Sequence, residues 1–204
     1  IMTDLAPSPM MVSLVQAAAQ LPVFLLALPA GALADLMDRR RHLILTNLLM
    51  LAAATALAIV AALGRLDATT LVVLTALLAV GAGLNNPAWS ASVPLTVPRQ
   101  VLPQALVLNS VGFNIARAVG PALGGLILTV AGSTIAFAAN AASFAFVALV
   151  VGILPTFPRA QTSSDIPPEQ FRSAMRVGFA YALAEPVVWN TLVRSAAFFG
   201  CASA

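Results

Sequence analysis

The sequence has no lysine, one cysteine, one histidine and little charge of either sign. Each shortage excludes something. Cys201, alone, builds neither an intrachain disulfide framework nor a cysteine-based metal site. His42 has no partner imidazole and no ligand cluster beside it, so it reads as a loop or interface residue, and neither a metal nor a cofactor is expected. A hydrolytic intramembrane enzyme would need a Ser–His pair or paired metal ligands, and a lone histidine outside the apolar runs argues against one. The basic residues are arginines at segment ends rather than a patch interleaved with aromatics, so no nucleic acid is expected as a partner. Charged residues make up 8% of the chain, against about 25% in a soluble domain. With 60% hydrophobic residues, too little polar surface remains to coat a water-soluble core. The composition implies an integral membrane protein.

What is present is a series of apolar runs. Each is long enough to supply the roughly 20 helical residues that cross a bilayer. The alternation of a membrane barrel is absent, and helices satisfy their own backbone in lipid. The runs cover about Met10–Leu33, His42–Leu63, Thr70–Val93, Pro103–Val130 and Ser133–Leu154, and a sixth begins near Pro186. Short connections, "DLMDRRR", "GRLDAT", "PLTVPRQVLP" and "AGS", make consecutive helices antiparallel. Three parts follow: a transmembrane part over 1–154, a linker over 155–185, and the start of a further span over 186–204. The linker opens with the Pro- and Ser-rich "PTFPRAQTSSDIPPEQ". It continues with Phe171, Met175, Phe179 and Ala182 at helical spacing, the pattern of an amphipathic helix on a membrane surface. No secretory signal is visible, and the chain is expected to be a piece of a longer membrane protein.

The arginines orient the helices. Alternate connections carry Arg39, Arg40 and Arg41, then Arg99, then Arg159, Arg172 and Arg176. The opposite connections carry Arg65 beside Asp67, and no charge in "AGS". The Arg-rich side is expected to be cytoplasmic in an inner or plasma membrane crossed several times.

Two motifs resemble a known superfamily. "GALADLMDRRR" resembles the loop between helices two and three of major facilitator superfamily transporters: Gly31, Asp35, Arg39 and Arg40 match, while Asp38 stands where the family has a second glycine. "ARAVGPALGG", with Ala116, Gly120, Pro121, Gly124 and Gly125, resembles the fifth-helix motif of the superfamily's antiporters. Together with the stretch Leu84–Gly125, they are similar to the branch called transmembrane secretion effectors, which includes enterobactin-exporter-like proteins. The resemblance implies an all-α membrane fold: a major-facilitator-type bundle, of which this chain supplies the N-terminal half, helices two to six, and the start of helix seven. It also implies a gating role for the Gly31–Arg41 loop. Read from the residues alone, Asp35 is either such a latch, with Arg99 as the nearest nameable partner, or a helix-end cap and anchor.

Intramembrane polar residues are the other candidates. Gln16 and Gln20, Asn86 and Ser90, and Asn140 and Ser143 recur three or four apart, as helix–helix glue or as contacts along a hydrated path. Ser110, Asn114, Arg117 and Pro121 share one helical face, beside a small-residue stripe of Ala116, Gly120 and Gly124. An arginine at the bilayer centre costs about 3 kcal/mol on insertion scales, so Arg117 is expected to face the protein interior, in a buried ion pair or on a central path. The expected activity is secondary transport, an exporter of a small siderophore-like or drug-like molecule by alternating access. A membrane scaffold without transport is the alternative. No deep carboxylate occurs in the expected helices two to six, so if protons are the coupling ion their carrier lies outside them.

Overall fold

The computed structural model describes residues 9–153, with 185, 189, 190 and 194; of 9, 27, 28, 32, 35 and 36 only the backbone is described. The expected linker, surface helix and further span fall almost wholly outside these residues. The chain divides into units 1–160 and 161–204. In the second, the Trp189 N–H donates to the Glu185 carbonyl across one helical turn.

The first unit is a bundle of five helices among the described residues. They are α1, Pro9–Leu36; α2, Arg39–Ala62; α3, Ala68–Ser92; and a helical stretch, Leu102–Ile153, broken at Gly132. Gly132 adopts φ 81°, which a side chain resists, and divides that stretch into α4 (102–131) and α5 (133–153). Two short 3-10 turns, Val93–Leu95 and Arg99–Val101, join α3 to α4. The three stretches Arg39–Ala62, Ala68–Leu95 and Arg99–Ile153 are long and apolar enough to cross a membrane, the last of them twice given its break. The chain is thus an all-α membrane protein, as its composition implies.

The helix ends are set by identifiable side chains. After α2, Gly64 takes φ 65°; its N–H reaches the Ala61 carbonyl while that of Arg65 reaches Val60, the paired bonds of a Schellman stop. Asp67 then caps α3, accepting from the N–H groups of Thr69 and Thr70 and from the Thr70 hydroxyl. That hydroxyl, first among the causes, holds the Asp67 carboxyl below its usual range.

α2 is the hub. Its buried residues, His42, Leu43, Thr46, Asn47, Met50, Ala53, Ala54 and Leu57, recur every three or four positions and form one continuous stripe. α2 packs along both α3 and α5, and α1 packs along α3. Leu43 meets Ala34, Ala88 and Val151 at one level, and Leu57 and Leu71 gather Val15, Leu78 and Phe137 at the other. α3 fits between its neighbours through glycines 200° apart on its wheel. A Cβ at Gly81 would strike Met50 of α2, and one at Gly83 would lie 3.1 Å from the Val23 Cα of α1.

Candidate functional site

The connection between α1 and α2 is shorter than the motif suggests. α1 runs to Leu36 and α2 starts at Arg39, leaving Met37 and Asp38 as the turn. The three arginines therefore occupy the first turn of α2, where the helix dipole disfavours cations. Two features offset that placement. Asp38, the residue departing from the family's glycine, caps α2 by accepting from the Arg41 N–H at 3.0 Å. The side chains of Arg39 and Arg40 leave their own helix for the C-terminal ends of two others. Arg39 donates to the Ala91 carbonyl of α3 at 3.0 Å. Arg40 donates through Nε to Val151 of α5 at 3.1 Å and through Nη2 to Gly152. Terminal carbonyls have no intrahelical partner, and a guanidinium satisfies them with charge-assisted bonds. Three helix ends are thereby tied at one point. Arg99 lies exposed in its 3-10 turn, and its side chain makes no hydrogen bond or ion pair among the described residues. The Asp35 backbone lies in the last turn of α1; its side chain is outside the description.

A second polar group lies just inside that turn, assembled from residues that sequence spacing does not pair. His42 is 3% exposed and its Nε2 lies 2.9 Å from the Leu84 carbonyl. A carbonyl only accepts, so this nitrogen carries the proton. Thr46 and Asn47, both buried, reach the Asn85 Oδ1 of α3 at 2.9 and 3.1 Å. The target is a weak point of α3: Pro87 has no N–H to give the Gly83 carbonyl, and side chains from α2 bind the residues next to it. Asn86, the candidate paired with Ser90 by spacing, lies one residue away and is exposed, and Asn85 is the residue that faces α2. The available signal was periodicity, since His42, Thr46 and Asn47 fall on the same stripe as Leu43 and Met50.

The remaining candidates point away from the bundle. Gln16, Gln20, Asn86, Ser90, Asn114, Arg117, Asn140 and Ser143 are all exposed. Asn114 and Ser143 satisfy themselves on their own helix, donating to the Ser110 and Asn140 carbonyls, and Ser110 donates to Leu106. Among the described residues Gln16, Gln20, Asn86 and Ser90 make no side-chain hydrogen bond. The Arg117 guanidinium stands 5.8 Å from the centre of the Phe113 ring. Gly120, Gly124 and Gly125 have nothing within 4 Å of where a Cβ would sit, so the small-residue stripe meets no helix of this bundle. Trp89 of α3 donates to Asn109 of α4 at 3.4 Å, joining the two helices near the 3-10 turns that connect them.

The family model of the transmembrane secretion effectors matches residues 1–204. The multidrug efflux pump Tap of Mycolicibacterium fortuitum is 28% identical over 148 residues, covering 70% of this chain and 36% of that protein. An MFS-type transporter of Bacillus subtilis (strain 168), YfiS, named as uncharacterized, is 28% identical over 152 residues, covering 74% and 35%. The chain spans about a third of the length of these relatives. No solved structure matches it. The capped arginine turn, the apolar helices and the match over all 204 residues lead to one assignment: the chain belongs to the transmembrane secretion effector family of major facilitator transporters.

Proposed function

We propose that this chain is the N-terminal half, with the start of helix seven, of a secondary transporter that exports a small organic molecule. The carrying observation is the direction of its polar groups. The interior polar set is closed and satisfied, whereas eight membrane-level polar side chains face outward from the bundle. Polar groups collected on the outside of an apolar bundle favour a path along that surface, shared with a second half, over a pore through the middle. Two halves rocking about a midplane site would expose such a path to each side in turn. The family description and the efflux pump among the relatives support the outward direction. Siderophore-like and drug-like molecules are the proposed substrates. The Arg-rich ends face the cytoplasm, in an inner or plasma membrane. Between residues 39 and 153 the sole carboxylate is Asp67, in a connection, so a proton carrier would come from elsewhere in the protein.

The test is energised efflux by the full-length protein in proteoliposomes, with dyes and a catecholate siderophore as substrates. Efflux that collapses with the proton gradient is expected. Efflux of none of them, together with no labelling of Asn86→Cys and Asn114→Cys in a Cys201→Ser background by a water-soluble thiol reagent, would identify a scaffold. Asp35→Asn at normal abundance is expected to cripple efflux; normal efflux would leave Asp35 as a cap.

A further inference from the structure

Arg117 is the one charge set deep in α4, and among the described residues it has no neutralising partner. It lies 15 residues from Leu102, so about 22 Å along a 30-residue helix, near its middle. From residue 68 to residue 153 the only charged side chains are Arg99 and Arg117. No carboxylate therefore exists on α3, α4 or α5 to face it. The helix is also sided. Ser110, Asn114 and Arg117 project on one side, while Leu108, Ile115, Val119 and Leu126 project on the opposite one. The apolar side suits lipid, and the arginine side does not. Among the described residues the guanidinium makes no hydrogen bond or ion pair, and its cation–π partner is the Phe113 ring. A ring takes up one face of a guanidinium and leaves its N–H edges unused, and those edges match planar oxyanions.

We propose that Arg117, backed by Phe113 and flanked by Asn114, is a subsite for an anionic group of the exported molecule: a carboxylate or a comparable planar oxyanion, preferably on an aromatic body. The assignment rests on the export reading above and narrows its substrate class. The guanidinium grips the oxyanion with two parallel N–H···O bonds, the Asn114 side supplies polar company, and Phe113 offers a surface to an attached ring.

The experiment uses full-length protein in nanodiscs with two probes, 5-carboxyfluorescein as the aromatic carboxylate and ethidium as the aromatic cation. Binding is read by fluorescence anisotropy, and export of the same probes is read separately in proteoliposomes. Arg117→Gln is expected to weaken carboxyfluorescein binding by about tenfold or more and Arg117→Lys by about threefold, since a lysine keeps the charge but not the fork. Phe113→Leu is expected to weaken it by a smaller factor, and ethidium binding is expected to be unchanged throughout. Any of three results overturns the subsite: no carboxyfluorescein binding by the unmodified protein, equal binding by Arg117→Gln, or parallel loss of both probes in Arg117→Gln and Arg117→Lys, which marks a structural ion pair. Binding without energised export would retain the subsite and refute the export reading instead.

Discussion

α2 and α4 are both apolar helices able to cross a membrane, yet they have opposite surroundings. α2 buries eight residues between α3 and α5, while every residue of α4 from 106 to 126 is exposed. Apolarity does not separate them. Leu43 in α2 is 1% exposed and Leu108 in α4 is 73% exposed. In lipid, hydrocarbon gains nothing by leaving an apolar solvent, so close packing and polar contacts decide which helices associate. α2 brings arginines, His42, Thr46 and Asn47 to acceptors on its neighbours, and α3 supplies glycines where backbones approach. α4 carries its glycines and its arginine on a surface that no helix of this bundle covers.

The largest effect that would sharpen this contrast is a core truncation. Leu43→Ala is expected to destabilise the bundle by about 2–4 kcal/mol through lost packing, and Leu108→Ala by less than about 0.5 kcal/mol. Reversible unfolding in mixed micelles measures both, and equal effects would erase the distinction between hub and outer helix. Next is the three-helix tie. Arg40→Ala removes charge-assisted bonds to two α5 carbonyls and is expected to cost about 1.5–3 kcal/mol, and Arg41→Ala is expected to cost far less. Hydrogen exchange at the end of α5 should rise in the first variant only. A glycine pair tests close approach. Gly83→Ala places a methyl against the backbone of α1 and is expected to cost about 1–2 kcal/mol, whereas Gly120→Ala meets open space and is expected to leave unfolding unchanged. If Gly120→Ala nevertheless impairs efflux, the α4 stripe packs against the other half of the transporter. The smallest effect is at Asp67. Its carboxyl is held below the usual range, so its capping contribution is complete above that range and is lost as pH falls through the lowered value. Asp67→Asn should flatten that acid-side decline slightly, and an unchanged pH profile would show that the cap adds nothing.

Much of the bundle could be read from the residues. Long apolar runs set the helices because lipid leaves the backbone no other partner, and the expected spans agree with the observed ones to within about four residues at each end. The clearest boundary shift is at Asp35–Arg41. There the charges suggested a loop, yet an N-cap on Asp38 lets α2 begin at Arg39. Gly132 marked the break in the last helical stretch, since a left-handed turn between two apolar helices favours glycine.

The sequence by itself determined that this protein is an all-α membrane chain of the major facilitator type, because composition, run length and two motifs each carry that information locally. It also placed the polar candidates within apolar helices. Only the tertiary structure decided where they point. Periodicity places residues on a face of a helix but does not say what that face meets. Asn85 and Asn86 differ by 100° of rotation, and that angle separates a half-buried acceptor shared by Thr46 and Asn47 from an exposed amide. Likewise, Arg39 and Arg40 read as topology anchors until α3 and α5 bring their terminal carbonyls to them, from residues 52 and 111 or more positions away.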